Sequence, residues 1–154
     1  MAMYRHFANK EALTQHLCAQ LYSGFTEKMH REIKTVDQPW ERIRIFVLAL
    51  LDFAVAYPDH YTLIFLQRHA NPEVFTERER LGQEFLKGIR RIVRDILPAD
   101  TPAAIVDMRL RQIVTCLHGT AGLLIAHPKA YGLSKQKAVK DMEDAVSCLL
   151  KANL

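Results

Sequence analysis

The chain lacks most of the features that an enzyme or a metalloprotein needs. It contains no glycine-rich phosphate loop, no Gly-x-Ser-x-Gly nucleophile motif and no paired carboxylates on an apolar helix face. No histidine lies three or four residues from another histidine or a cysteine, the spacing that brings two metal ligands together on a helix. We therefore expect no enzymatic activity, no metal site and no cofactor.

Cysteines and long apolar runs are also scarce. The three cysteines are widely spaced and odd in number, which argues against a disulfide framework and for a reducing compartment. The longest weakly polar run, 113–126, contains two threonines and a histidine, and it is shorter than the roughly 20 residues that cross a bilayer. Residues 1–13 have no apolar centre like that of a secretory signal. These absences predict a cytoplasmic protein without membrane contact.

The composition is that of an ordinary globular domain. The chain has 154 residues, of which 49% are hydrophobic and 25% are charged, enough for one domain with a sizeable core. The formal net charge of +4 permits a polyanionic partner but does not specify one, because many proteins carry as much.

Prolines divide the hydrophobic pattern into helical segments. Neither period-two alternation nor Asn-Gly or Asp-Gly hairpin turns occur, so no strands are predicted. Helices are predicted at about 9–34, 39–57, from 58, 73–97, 102–127 and from 134, with the starts set by prolines or capping residues. The second helix is apolar nearly all round from Ile45, which indicates that other helices surround it. The predicted fold is an all-α bundle of about six helices.

The last two long helices carry more apolar surface than a single contact requires. The fifth has a second apolar row at Val114, Ala121 and Ile125 beside its main seam. One row could cover the core while the other contacts a second protomer; the alternative is a single larger core. The candidate dimer-interface residues are Val106, Leu110, Ile113, Leu117 and Leu124 of the fifth helix, with Val139, Met142, Val146 and Leu149 of the sixth.

The beginning of the chain resembles a signature of the TetR family of bacterial transcriptional regulators. Residues 4–7 read Tyr-Arg-His-Phe and residues 10–13 read Lys-Glu-Ala-Leu, similar to the end of that family's DNA-recognition helix and the start of its linking helix. Two further segments resemble one subgroup: 57–65, and Cys-Leu-His-Gly at 116–119, where Leu117 stands in place of the usual tryptophan.

The resemblance implies a division of the chain and a set of DNA contacts. Residues 1–8 would be a remnant of the recognition helix and its turn, and residues 9–154 a TetR-like effector-binding and dimerisation domain. Tyr4, His6 and Lys10 would contact DNA phosphates. Most of the helix-turn-helix head would be missing, so operator DNA would be a partner only when that head is present.

An effector pocket in such a bundle needs large apolar side chains and a few polar groups. His118 is the best single polar candidate, because of the His-Gly resemblance; the alternative is a hydrogen-bonded core histidine. The same aromatics could equally be packed core. The full set of pocket candidates is Phe46, Leu50, Phe53, Tyr57, Tyr61, Phe65, Met108, Arg111, Cys116 and His118.

These patterns favour a homodimeric transcriptional repressor of the TetR type, whose operator affinity is lowered by a small, largely apolar effector. One alternative is a headless protein that binds a ligand or caps a partner subunit without contacting DNA. A small helical enzyme is the least favoured alternative, because no pair of nucleophile and base can be named.

Overall fold

A computed structural model describes residues 10–66, 72–127 and 129–151 of the chain. Within these residues there are six α-helices and no strand, which confirms the predicted all-α bundle. The helices are α1 (Lys10–Ile33), α2 (Pro39–Ala56), α3 (Pro58–Tyr61), α4 (Pro72–Ile96), α5 (Ala103–Ala126) and α6 (Lys135–Lys151). A π-helical turn, Thr62–Leu66, continues α3, and a 3-10 turn, Ala130–Gly132, precedes α6.

Local sequence sets the helix limits. Proline occupies the first turn of α2 and α3, where its missing N–H removes no helical hydrogen bond. The predicted cap of α6 is present, since the Ser134 Oγ accepts a hydrogen bond from the Lys137 N–H at 3.3 Å. Before α6 the chain turns sharply, with positive φ at Tyr131 and Gly132.

Helix α2 is the centre of the bundle. It contacts α1, α4, α5 and α6, and its buried residues point to several sides of the helix: Ile43, Phe46, Val47, Leu50, Leu51 and Ala54. This confirms that its nearly continuous apolar character reflects a helix wrapped by its neighbours.

Long-range contacts define two ends of the bundle. At the entry end, where α1 begins and α2 finishes, the Lys135 Nζ lies 2.5 Å from a carboxylate oxygen of Asp52. At the far end, the ammonium of Lys151 lies 5.4 Å from the ring centroid of Trp40, which joins the end of α6 to the start of α2. None of the helices in the described ranges has the length and apolar character needed to span a membrane.

The central role of α2 predicts a difference between two valines on it. Val47 is 1% exposed and Val55 is 44% exposed. Val47→Ala removes packed methyl groups from the core and should lower the free energy of unfolding by about 2 kcal/mol. Val55→Ala, the matched control, should change it by less than about 0.5 kcal/mol. Urea denaturation measures both, and equal effects would contradict the central placement of α2.

Candidate ligand-binding groove

Aromatic rings from six elements form a continuous cluster in the entry half of the bundle. We call it the aromatic cluster; its members are Tyr22 and Phe25 of α1, Phe53 of α2, Tyr61 and Phe65 of α3 and the π-helical turn, Phe85 of α4, and His118 of α5. Phe65 lies at its centre, with ring centroids 4.9 Å from Tyr61 and 5.1 Å from His118. These distances are those of favourable aromatic pairs.

The π-helical turn places Phe65 in the cluster. A π-helical turn widens the helix locally and changes the direction in which the following side chains point. Tyr61, in the turn before it, is fully buried, while Phe65 is partly buried and reaches Tyr22 on α1 at 5.7 Å. The thiol of Cys18 on α1 approaches the carbonyl oxygen of Leu63 at 3.9 Å. The irregular turn therefore contacts α1 through both a ring and a backbone carbonyl.

A polar pair lies within this apolar cluster. The hydroxyl of Tyr61 forms a short hydrogen bond with Nδ1 of His118. Burial lowers the pKa of His118, because the charged ring would lose its hydration, and burial raises the pKa of Tyr61. Burial also raises the pKa of Tyr22 to about 12. A neutral imidazole and a protonated phenol are thus the favoured forms, and Tyr61 can donate to the ring nitrogen.

Beside the cluster, an open groove of about 780 Å³ runs between α1 and α2. Its floor is apolar, formed by Leu21, Phe25, Met29, Ile45, Leu48, Ala49, Phe53 and Ala56. Phe25 and Phe53 belong to the floor and to the aromatic cluster at once, with ring centroids 4.9 Å apart. A molecule in the groove would therefore contact the rings that lead towards α5.

Polar side chains line the rim of the groove near both ends of the bundle. At the entry end are Asp52, paired with Lys135, and His60, whose ring stacks on Tyr57 at 5.8 Å. Towards the far end are Lys28 and Glu32, 4.0 Å apart. Between them, Gly24 has no atom within 4 Å of the position that a Cβ would occupy, so the absence of a side chain there leaves the groove open.

Comparison with protein families identifies the chain. Residues 43–146, from the first half of α2 to the last third of α6, match the model of the family described as Tetracyclin repressor-like, C-terminal domain. The chain belongs to this family. Comparison with curated proteins and with solved structures gave no significant match.

This Tetracyclin repressor-like domain places the predicted pocket residues in four different environments. Phe53 and Tyr57 line the groove, while Tyr61, Phe65 and His118 lie together in the aromatic cluster. Phe46 and Leu50 are at most 2% exposed and pack in the core, and Met108 is partly buried. Arg111 and Cys116 are exposed on α5 and line neither the groove nor the aromatic cluster, so their place in a pocket stays a prediction.

The seam predicted as a dimer interface is largely internal. Val106, Ile113 and Leu117 have no exposed surface, and Met142 and Val146 are each 3% exposed, because α5 and α6 pack on each other and on α2. Leu110 is also buried, and Leu124, Val139 and Leu149 are partly buried against the same core. The side chains that the chain itself covers completely, such as Ile113 and Leu117, offer little area to a second copy. The role of the seam in a dimer interface stays a prediction.

The predicted DNA contacts fall mostly outside the described part of the chain. Tyr4 and His6 lie outside it, and Lys10 is the first residue of α1. Their contacts with phosphates remain predictions. Within the described residues, no three His, Cys, Asp or Glu side chains are grouped closely enough to hold a metal ion.

The α1 half of the groove was missed by sequence reasoning. Its contributors include Gln20, Gly24, Lys28 and Glu32, which read as the solvated face of a long helix. In the sequence, Gly24 could have indicated this side of the groove. Glycine within a helix is unfavourable by about 1 kcal/mol relative to alanine, so its presence there often has a packing or functional cause.

The buried His118 predicts a pH dependence of stability. Its pKa is lowered in the folded state, so below the unfolded-state value near 6.5 the unfolded chain binds the proton more readily than the folded one. Stability should therefore fall as the pH drops below about 6.5, and this loss should be smaller in His118→Gln. Urea denaturation at pH 7.5 and 5.5 measures the difference, and an equal loss in both proteins would contradict the assignment.

Proposed function

We propose that this chain is the ligand-responsive and dimerising part of a TetR-type transcriptional repressor, and that the groove between α1 and α2 binds its effector. One observation carries the proposal: Phe25 and Phe53 each form part of the groove floor and also belong to the aromatic cluster. Family membership supports the regulatory role, because the matched domain is described as repressor-like.

The groove favours a small, largely apolar molecule that carries a polar group. Its volume of about 780 Å³ lies within the roughly 300–1,000 Å³ typical of small-molecule sites. The floor offers aromatic and aliphatic surface, while Asp52 and His60 at the entry end can orient a polar substituent. Burial of the apolar part would supply most of the binding free energy, and the rim would supply selectivity.

A ligand in the groove can influence DNA binding through α1. This helix forms one wall of the groove and connects it to residues 1–8, which resemble the end of a recognition helix. Phe25 of α1 contacts Phe65, which contacts His118 on α5. A ligand that binds one arrangement of these rings better than another shifts the population of α1 positions, and so changes operator affinity.

The outward face of α5 is our proposed dimer surface. Residues 112–126 include no aspartate, glutamate, lysine or arginine, although several of them are exposed. Leu123 is 38% exposed, and neither Gly119 nor Gly122 has an atom within 4 Å of its Cβ position. A second α5 could approach such an uncharged face closely, since depletion of charge is typical of interface centres. Pairing of two such faces would give a two-fold symmetric dimer.

Two glycine substitutions test the groove and the dimer surface separately. Gly24→Leu fills the groove and should weaken binding of the neutral fluorescent probe N-phenyl-1-naphthylamine at least about tenfold, because the side chain occupies the ligand volume. Gly119→Leu should leave probe binding unchanged but should shift the dimer towards monomer in analytical ultracentrifugation, because it obstructs close helix approach.

Each variant is the control for the other. Both positions are exposed and within long helices, and leucine raises helix propensity over glycine, so neither substitution should unfold the chain. Unchanged probe binding in Gly24→Leu would exclude the groove as the binding site. An unchanged dimer in Gly119→Leu would exclude the α5 face.

The repressor role itself is tested with the full natural gene product and fragmented genomic DNA. Bound fragments should be enriched in a near-palindromic sequence, as expected for a symmetric dimer. Binding of the enriched sequence should exceed that of random DNA by at least about a thousandfold at physiological salt. A series from low to physiological salt without any sequence preference would exclude operator binding.

A further inference from the structure

The groove between α1 and α2 carries a carboxylate on its apolar α2 wall. Asp52 is the charged member of the row of α2 residues that line the groove, and the others are Ile45, Leu48, Ala49, Phe53 and Ala56. Members of this row recur at intervals of three and four residues, which places them on one side of the helix. The carboxylate of Asp52 therefore lies beside apolar surface near the entry end of the groove.

A row of aromatic rings runs along the groove towards the same end. Phe25, Phe53, Tyr57 and His60 all line the groove. In that order, the centroids of neighbouring rings lie 4.9, 5.7 and 5.8 Å apart. The face of an aromatic ring carries partial negative charge, so it attracts a cation within about 6 Å of the centroid. Both the rings and the carboxylate of Asp52 thus favour a positively charged group in the groove.

The remaining charged groups around the groove leave this preference in place. Lys28 and Glu32 of α1 also line it, and their charged atoms are 4.0 Å apart, so the two charges largely compensate each other. The partner of Asp52 is Lys135, the first residue of α6, which is not one of the groove's lining residues. The carboxylate therefore belongs to the groove, whereas the cation that compensates it comes from another helix.

The ion pair of Asp52 with Lys135 is exposed enough to exchange partners. The nitrogen and oxygen atoms are 2.5 Å apart, but the side chain of Asp52 is 55% exposed and that of Lys135 is 44% exposed. Ion pairs at such exposure contribute little to stability, because water solvates both charges when they separate. A ligand ammonium that is held in the groove by an apolar body can therefore replace Lys135 at a small cost in free energy.

We propose that the groove binds an amphiphilic amine, whose ammonium displaces Lys135 from Asp52. This inference rests on the proposed effector groove and names the chemical class of its ligand. The apolar body would lie on Phe25 and Phe53, and the ammonium would lie beside the carboxylate and Tyr57. Because the displaced pair joins the last turns of α2 to the start of α6, binding would also be transmitted to α6.

Three ligands with the same phenylbutyl skeleton test the charge preference: 4-phenylbutylamine, 4-phenylbutan-1-ol and 4-phenylbutanoate. At neutral pH the first is a cation, the second is uncharged and the third is an anion. Each is titrated against the whole chain with N-phenyl-1-naphthylamine bound. The amine should bind at least about fivefold more tightly than the alcohol, and the carboxylate should bind most weakly. Equal affinities, or a carboxylate that binds most tightly, would overturn the proposal.

Two substitutions at the ion pair should change amine binding in opposite directions. Asp52→Asn removes the carboxylate charge and should weaken binding of 4-phenylbutylamine at least about fivefold. Lys135→Gln removes the competing cation and should tighten it about threefold. Neither should change the affinity of 4-phenylbutan-1-ol, which carries no charge. Both side chains are exposed, and each replacement keeps nearly the same shape, so both variants should fold.

Lys140→Gln is the matched control for Lys135→Gln. Lys140 is exposed on the same helix and does not line the groove, so its loss removes one positive charge without removing the competitor. Amine affinity should therefore stay at the wild-type value in Lys140→Gln. An equal tightening in both lysine variants, or unchanged amine binding in Lys135→Gln or Asp52→Asn, would contradict the displacement of Lys135.

The outcomes separate this inference from the proposed effector groove. If Gly24→Leu weakens binding of N-phenyl-1-naphthylamine while the amine and the alcohol compete equally well, the groove is retained and the amine preference is wrong. If Gly24→Leu leaves the binding of the probe unchanged, the groove and the amine site are both excluded.

Discussion

The fold depends on the burial of α2 by four other helices. Once α1, α4, α5 and α6 have covered it, α2 keeps accessible apolar surface at Val55 and Trp40 outside the groove, and also on the side facing α1. There Ile45, Ala49 and Phe53 are partly buried, whereas Val47, Leu51 and Ala54 on other sides are covered completely. The groove is thus the incompletely closed part of the same packing that holds the bundle together. A ligand there would bury more of α2, so its binding would be coupled to the position of α1.

The Tyr61–His118 pair gives this apolar bundle a directional contact between the end of α3, directly before the π-helical turn, and α5. Hydrophobic packing is tolerant of small rotations, whereas a buried hydrogen bond fixes the relative position of its two partners and is unfavourable to break. Phe65 lies against both the pair and α1, so a movement of α1 must either carry the turn with it or separate the rings. This is the physical basis on which α1 and α5 can respond together.

Much of the fold could be predicted because proline and capping residues indicate where helices begin. The predicted start of α2 at Pro39 is confirmed, and α6 begins directly after its predicted cap, Ser134. The candidate site was less predictable. Tyr57, Tyr61 and Phe65 form a recognisable aromatic run, but Tyr22, Phe25 and Phe85 lie on helices whose pairing with α2 and α3 is known only from the three-dimensional arrangement. The groove depends further on Gly24, an absence of atoms that hydrophobic periodicity does not register.

The two apolar rows of α5 show the limit of periodicity most clearly. A seam such as Val106, Ile113 and Leu117 predicts that this face is covered, but the same spacing serves a core and a dimer interface equally. The structure assigns the seam to the core, because α2 and α6 already occupy it. What remains outside is a face marked by missing charge and by Gly119 and Gly122 rather than by large apolar side chains. On this helix, our proposed dimer face therefore rests on the absence of charge and not on the strongest hydrophobic repeat, since the bundle uses that repeat for its core.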